Sequence, residues 1–343
     1  MESTSGKPAG TGKLIEKNNR LPWVDMVRGF AALLVMIGHS KPPQFLFDWL
    51  YMFHMPLFFF LSGYVFNWGK HRDFKQFFRS RCYSLLIPSL ILGAILDAFY
   101  LTMDSLTLGS FDGKVILYNL LGALIQLRGG NFQMGLWFVS CLFTTELLFW
   151  CMLYYLKKPH RVIAGLMLFS VVGFLYVQLI GKIVPWSMDV MCIAVGFFGA
   201  GYYCRNVYSG WFDKACGWFL LPLYVAVTAA VLLLNRLLHQ RVNLYMDEFG
   251  SYPLLYIGAF AGILTIVSLF RNLPPLRLLI FFGQNSLAYF ALHFILFPLF
   301  RLYLPYKNWI LFCSLATIII APVAMLLNRY LPIAVGKVRI EPK

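Results

Sequence analysis

Charge is scarce in this chain. Asp, Glu, Lys and Arg together make up 13% of the 343 residues, against 60% hydrophobic residues and a mean hydropathy of +0.70. So few charges cannot cover a water-facing surface, which excludes an ordinary soluble domain and makes lipid the solvent. Acidic residues are scarcer still, 14 against 29 lysines and arginines, for a net charge of +15. In a soluble protein that excess would suggest nucleic acid. In a membrane protein it reflects basic loops gathered on the cytoplasmic side, so no nucleic-acid partner is expected. Paired cysteines are missing too. The seven are odd in number, contain no C-x-x-C, and lie in apolar runs or basic loops. That argues against a disulfide framework and against a zinc site, and no metal is expected. Residues 1–20 lack a signal-peptide cleavage pattern and read as a short, flexible cytoplasmic tail ahead of an uncleaved first span. No internal repeat, low-complexity segment or second soluble domain is visible.

What is abundant is apolar sequence. Runs long enough to cross a bilayer fall at about 23–40, 45–67, 84–102, 133–156, 162–180, 186–204, 215–235, 252–270, 278–300 and 308–328. The expected fold is therefore all-α, a polytopic transmembrane bundle of about ten spans over residues 21–330, with a cytoplasmic tail at 331–343. Segment 115–127 is shorter, holds Asn119 and Gln126, and reads as interfacial or re-entrant. With ten spans, 21 of the 29 lysines and arginines fall on the amino-terminal side and eight on the other. That split predicts both termini in the cytoplasm, as in a multi-pass protein of a bacterial plasma membrane. An eleventh span would spoil it. The 33 phenylalanines read as lipid-facing bulk and interfacial belts.

Ionisable groups inside spans are costly and therefore candidates for function. They are Asp25, Arg28, His39, His54, Asp97, Glu146, Asp189 and His293. Arg28 and His39 are 11 residues apart, about three helical turns, which puts both on one face about 16 Å apart along the axis. With the amino terminus inside, Arg28 lies near the cytoplasmic surface, where it could also simply snorkel, and His39 in the outer half. His54, at the outer end of the second span, shares His39's depth, while Glu146 and His293 fall at mid-depth. For His54 and Glu146, helix–helix hydrogen bonding is as good a reading as chemistry. Asp97, Asp189 and His293 read as packing or lining groups, and Asp25 as an ion-pair partner of Arg28 or a helix-start charge. The loop GKHRDFKQFFRSRCY concentrates Lys70, Arg72, Lys75, Arg79 and Arg81. It is a topological anchor and also a potential phosphate-binding collar.

Several blocks resemble the acyltransferase-3 family of integral membrane acyltransferases. They are DMVRGFAALLVMIGH at 25–39 with its Arg-x10-His spacing, FHMPLFFFLSGYVF at 53–66, LLIP at 85–88, LWF at 136–138 and GQNSLAYFALHF at 283–294. The second is most similar to the bacterial branch that O-acetylates polysaccharides, the fucose O-acetylase type. The resemblance implies an O-acyltransferase, acetyl-CoA or another cytoplasmic acyl-CoA as donor substrate rather than a tightly bound cofactor, and a carbohydrate hydroxyl as acceptor, on a surface polysaccharide or its lipid-linked precursor. It makes Arg28 and His39 the essential pair, with His54 or Glu146 orienting the ring or the acceptor. Arg28, Arg72, Lys75, Arg79 and Arg81 would hold the donor's phosphates. Relatives often carry a second basic residue just before LLIP, where this chain has Ser84, which leaves Arg79 and Arg81 to supply it. No extracytoplasmic hydrolase-type domain is appended, so a second transfer step would use the membrane core or a partner. The alternative is a transporter or flippase for a glycan intermediate or small polar solute, since polar groups inside spans are expected there too.

Overall fold

In a computed structural model, residues 20–70, 72–108, 113–128, 135–304 and 308–337 are described. Most of the two expected tails lies outside them. The described residues form helices and short turns, with one isolated β-bridge between Asn243 and Glu248. In chain order the helices are α1 (Pro22–His39), α2 (Gln44–Val65), α3 (Phe74–Arg81), α4 (Ile87–Leu108), α5 (Gly113–Ile125), α6 (Trp137–Leu156), α7 (Pro159–Leu179), α8 (Met188–Asn206), α9 (Ser209–Ala215), α10 (Leu221–Leu237), α11 (Tyr252–Arg271), α12 (Arg277–Gln284), α13 (Ser286–Tyr303) and α14 (Trp309–Tyr330).

Among the described residues, nine helical segments are long and apolar enough to cross a membrane. They match the second to tenth expected spans. Helix α1, 18 residues long, occupies the first expected span and is not one of the nine, its hydropathy lowered by Asp25, Arg28 and His39. Arg20 and Lys337 line the same cavity, so the described chain begins and ends at one end of the bundle. An even number of crossings requires that. Helix α5, at 13 residues and about 20 Å, is too short to cross.

Two boundaries differ from expectation. The third span starts early: amphipathic α3, capped by the Asp73 carboxylate accepting from Gln76 N at 2.7 Å, runs through a π-helical turn at Cys82–Leu86 into α4. The ninth is broken. Helix α12 stops at Gln284, and α13 starts anew after Asn285, whose amide nitrogen turns back to Phe281 O at 2.7 Å. The polar run Gln284-Asn285-Ser286 competes for backbone hydrogen bonds and interrupts the apolar stretch.

Helix α1 is the hub, packed against α2, α11, α12, α13 and α14. Lipid offers no hydrophobic drive for helix association, so close backbone approach at small residues does that work. A methyl group at Gly29 would overlap the Leu279 carbonyl, and one at Gly283 the Asp25 carbonyl, which locks α1 to α12. Gly63 and Gly201 meet the backbones of the opposite helices in the same reciprocal way and lock α2 to α8. The phenylalanines are not mainly lipid-facing. Phe53, Phe59, Phe60, Phe77, Phe149, Phe197 and Phe198 are fully buried between helices, where flat rings fill space at helix crossings.

The far end of the bundle is tied by a buried ion cluster. Arg128, fully buried just after α5, donates to Asp189 at 2.6 Å, to Asp247 at 2.8 and 2.9 Å, and to the carbonyls of Leu244 and Tyr245. Asp189 also accepts from Val184 N at 2.8 Å. One guanidinium thus pins three loops. Burial pushes the Asp247 carboxyl up to about 6, although Arg128 pulls the other way.

Candidate active site

A cavity of about 860 Å³ opens at the end of the bundle where the chain begins and ends. Its walls carry the cations Arg20, Arg28, Lys70, Arg81, Arg205 and Lys337 against two carboxylates, Asp25 and Glu146. A cation-rich mouth in a low-dielectric surround favours a polyanion, and guanidinium groups match phosphate oxygens bidentately. Arg28 projects from α1 one turn after Asp25. Arg81, at the end of α3, pairs with Glu146 of α6 at 3.2 Å and lies over the Phe77 ring. Arg205 donates to Tyr64 O at 3.2 Å. The chain's last described residue, Lys337, reaches back to Asn285 Oδ1 at 3.2 Å, and Asn328 caps the same oxygen at 2.5 Å. Burial lowers the Lys337 ammonium pKa, an effect reinforced by Arg20 and opposed by Asp25.

His39 lies at the other end of α1, one residue short of the cap, with its own carbonyl accepting from Arg301 at 2.8 Å. Its ring lies 5.2 Å from that of His293 and 4.7 Å from that of Phe294, centroid to centroid. His54 packs against Tyr51 at 4.8 Å, centroid to centroid, and the Tyr51 ring lies against Gly38 of α1. The histidines of α1 and α13 therefore meet, and that of α2 adjoins α1 through Tyr51. His54 Nδ1 lies 2.7 Å from Leu50 O, and His293 Nδ1 lies 2.8 Å from Tyr289 O. A carbonyl only accepts, so each Nδ1 carries its proton, and in the neutral ring each Nε2 is left as an acceptor. Among the described residues, His293 Nε2 is buried with no hydrogen-bond partner.

The expected site residues thus divide into two groups. Arg28, Arg81 and Glu146 line the cavity, while His39 and His54 lie outside its wall, on α1 and α2. Glu146 lies with the cations and is not brought to His39. Arg72, Lys75 and Arg79 are exposed and absent from the cavity wall, whereas Lys70 at its rim and Arg81 are part of it. His293, which reads as packing from its sequence, completes the histidine cluster. Lys337 and Arg205 had no local signal beyond being basic residues next to a span.

A family model described as an acyltransferase domain matches residues 21–329, nearly the whole bundle. The chain belongs to the acyltransferase-3 family. No curated protein and no solved structure matches it. Membership makes the chain a membrane acyltransferase and sets the transport reading aside. The matched region holds α1 through all but the last residue of α14, and so both the cavity wall contributed by the helices and all three histidines of this acyltransferase. Lys337 falls just outside it.

Proposed function

We propose that this acyltransferase moves an acyl group, acetyl in the first instance, from cytoplasmic acyl-CoA to a carbohydrate hydroxyl, on a surface polysaccharide or its lipid-linked precursor. The observation that carries this reading is the division of α1: a cation-lined cavity of about 860 Å³ at Arg28 and a histidine cluster at His39 three turns on. The basic mouth and the excess of basic loops on that side support a plasma-membrane protein with both termini in the cytoplasm, where acyl-CoA is made.

The phosphates of the donor would meet Arg28, Arg81, Lys70, Arg205 and Lys337, leaving the pantetheine arm to run along α1. The ~16 Å of α1 between Arg28 and His39 is a length that such an arm can span. Two routes are open to a neutral imidazole at His39. As general base it takes the acceptor hydroxyl's proton while that oxygen attacks the thioester carbonyl. The C–S bond then breaks, and the CoA thiolate leaves and recovers the proton. As nucleophile it first takes the acyl group itself, releasing CoA, and the hydroxyl then attacks the acyl-imidazole. His54 and His293, each with Nδ1–H fixed on a carbonyl, offer Nε2 to hold the acceptor hydroxyl or the His39 ring.

The test is purified protein with radiolabelled acetyl-CoA, read as CoA release, together with mass spectrometry of surface glycans from a deletion strain. The expected result is His39-dependent CoA release and loss of O-acetyl groups from one glycan. Unchanged glycans and no CoA release from the wild type would overturn the proposal.

A further inference from the structure

The cavity stops about one helical turn short of the histidines, and three phenylalanines stop it. Phe58 of α2, Phe138 of α6 and Phe290 of α13 line its inner wall. Their ring centroids lie 5.4, 5.6 and 6.1 Å apart, each ring in contact with the other two. Going away from the cavity's cations, Phe58 is followed four residues on by His54, and Phe290 three residues on by His293. That is about 6 and 4.5 Å of rise. These rings lie between the cavity and the two histidines on α2 and α13. The space beyond is filled too. Phe294 touches the rings of both His39 and His293 and is wedged against Gly135, where even a methyl group would overlap it. His293 is fully buried.

We propose that Phe58, Phe138 and Phe290 form an acyl-selectivity ring, which admits a thioester bearing a two-carbon acyl group and rejects longer chains; this rests on the donor reading given above. The physical basis is steric. Each ring sits on a different helix and is held in contact by its two neighbours, and Phe294 fills the space beyond, so with the thioester carbonyl at His39 a longer acyl chain has to fold back against the three rings, whereas a two-carbon group does not reach them. An acyl group that passed would still have to fit between Phe294, His39 and His293. Phe58, Phe138 and Phe290 act through the passage and not on the reacting atoms, which makes them specificity determinants.

The experiment uses full-length protein in lipid nanodiscs with acetyl-, butanoyl- and hexanoyl-CoA. Free CoA is quantified by mass spectrometry, with water as acceptor, and CoA affinity is measured in parallel. Variants are Phe58→Ala, Phe138→Ala and Phe290→Ala, with the Phe→Leu series for any alanine variant that does not fold. The wild type is expected to prefer acetyl-CoA, and opening the ring to raise the hexanoyl-to-acetyl ratio of kcat/KM at least tenfold while CoA affinity stays within threefold. A wild-type ratio in every folded variant overturns the ring, as does equal loss of all three acyl groups. A wild type that neither binds CoA nor releases it from any donor contradicts the donor reading itself, a result distinct from either of these.

Discussion

The imidazoles of His39 and His293 lie 5.2 Å apart, centroid to centroid, on helices α1 and α13, and the buried Nε2 of His293 has no hydrogen-bond partner among the described residues. A buried acceptor left unpaired costs on the order of 1–3 kcal/mol. Such a cost is tolerated where the partner is a substrate.

If His293 Nε2 holds the acceptor hydroxyl or the His39 ring, replacing it by Phe removes that acceptor while keeping a flat ring. His293→Phe is expected to lower kcat by roughly 10²-fold, the typical scale of a positioned acid–base group, and to leave KM for acetyl-CoA within twofold. Steady-state kinetics in nanodiscs check it. His293→Gln, which retains an acceptor oxygen, is expected to recover part of the loss.

The Arg81–Glu146 pair separates stability from donor binding. Arg81→Ala strands the largely buried Glu146 carboxylate, so thermal stability and KM for acyl-CoA should both worsen. Adding Glu146→Ala is expected to restore much of the melting temperature but not the KM, which stays raised by about tenfold. Recovery of both would show that Arg81 serves structure alone. Differential scanning fluorimetry with parallel kinetics reads the two.

Arg128 holds two carboxylates in a cluster whose arginine and Asp189 side chains are wholly buried. Removing one partner of a buried pair costs about 3–5 kcal/mol, so Arg128→Gln is expected to yield little folded protein by size-exclusion chromatography in detergent.

The same cluster gives a pH signature. The Asp247 carboxyl is raised from 3.8 to about 6, so over that window the folded state binds the proton more than the unfolded state does. Its contribution to stability is therefore full at low pH, falls as pH rises from about 4 to 6, and is level above. Asp247→Asn removes the titrating group. The difference in melting temperature, wild type minus variant, is expected to fall across that window and to stay constant from pH 7 to 8.

Much of the bundle is legible in the sequence because lipid imposes one strong rule on length and polarity. The nine membrane-length helices among the described residues follow from apolar runs, and helical periodicity puts Arg28 and His39 on one face of α1. What sequence does not carry is which side of a packed layer a polar group faces. Glu146 is at mid-depth either way, and only its ion pair with Arg81 places it with the cations and not with His39. Arg128 reads as a loop charge because its partners are 61 and 119 residues away. Lys337 follows the last span and gives no sign that it turns back to Asn285. The break at Asn285 did have a signal, the run Gln284-Asn285-Ser286, but a sum of hydropathy over the span hides it.

The central claim is that donor binding at Arg28 and acyl transfer at His39 are separate functions of one helix. The most direct test measures CoA affinity and acetyl-CoA turnover in His39→Ala and Arg28→Ala, each shown to be inserted and folded. The expected result is that His39→Ala binds CoA as the wild type does with turnover at background, while Arg28→Ala binds CoA at least tenfold more weakly. Wild-type turnover in His39→Ala would contradict the account.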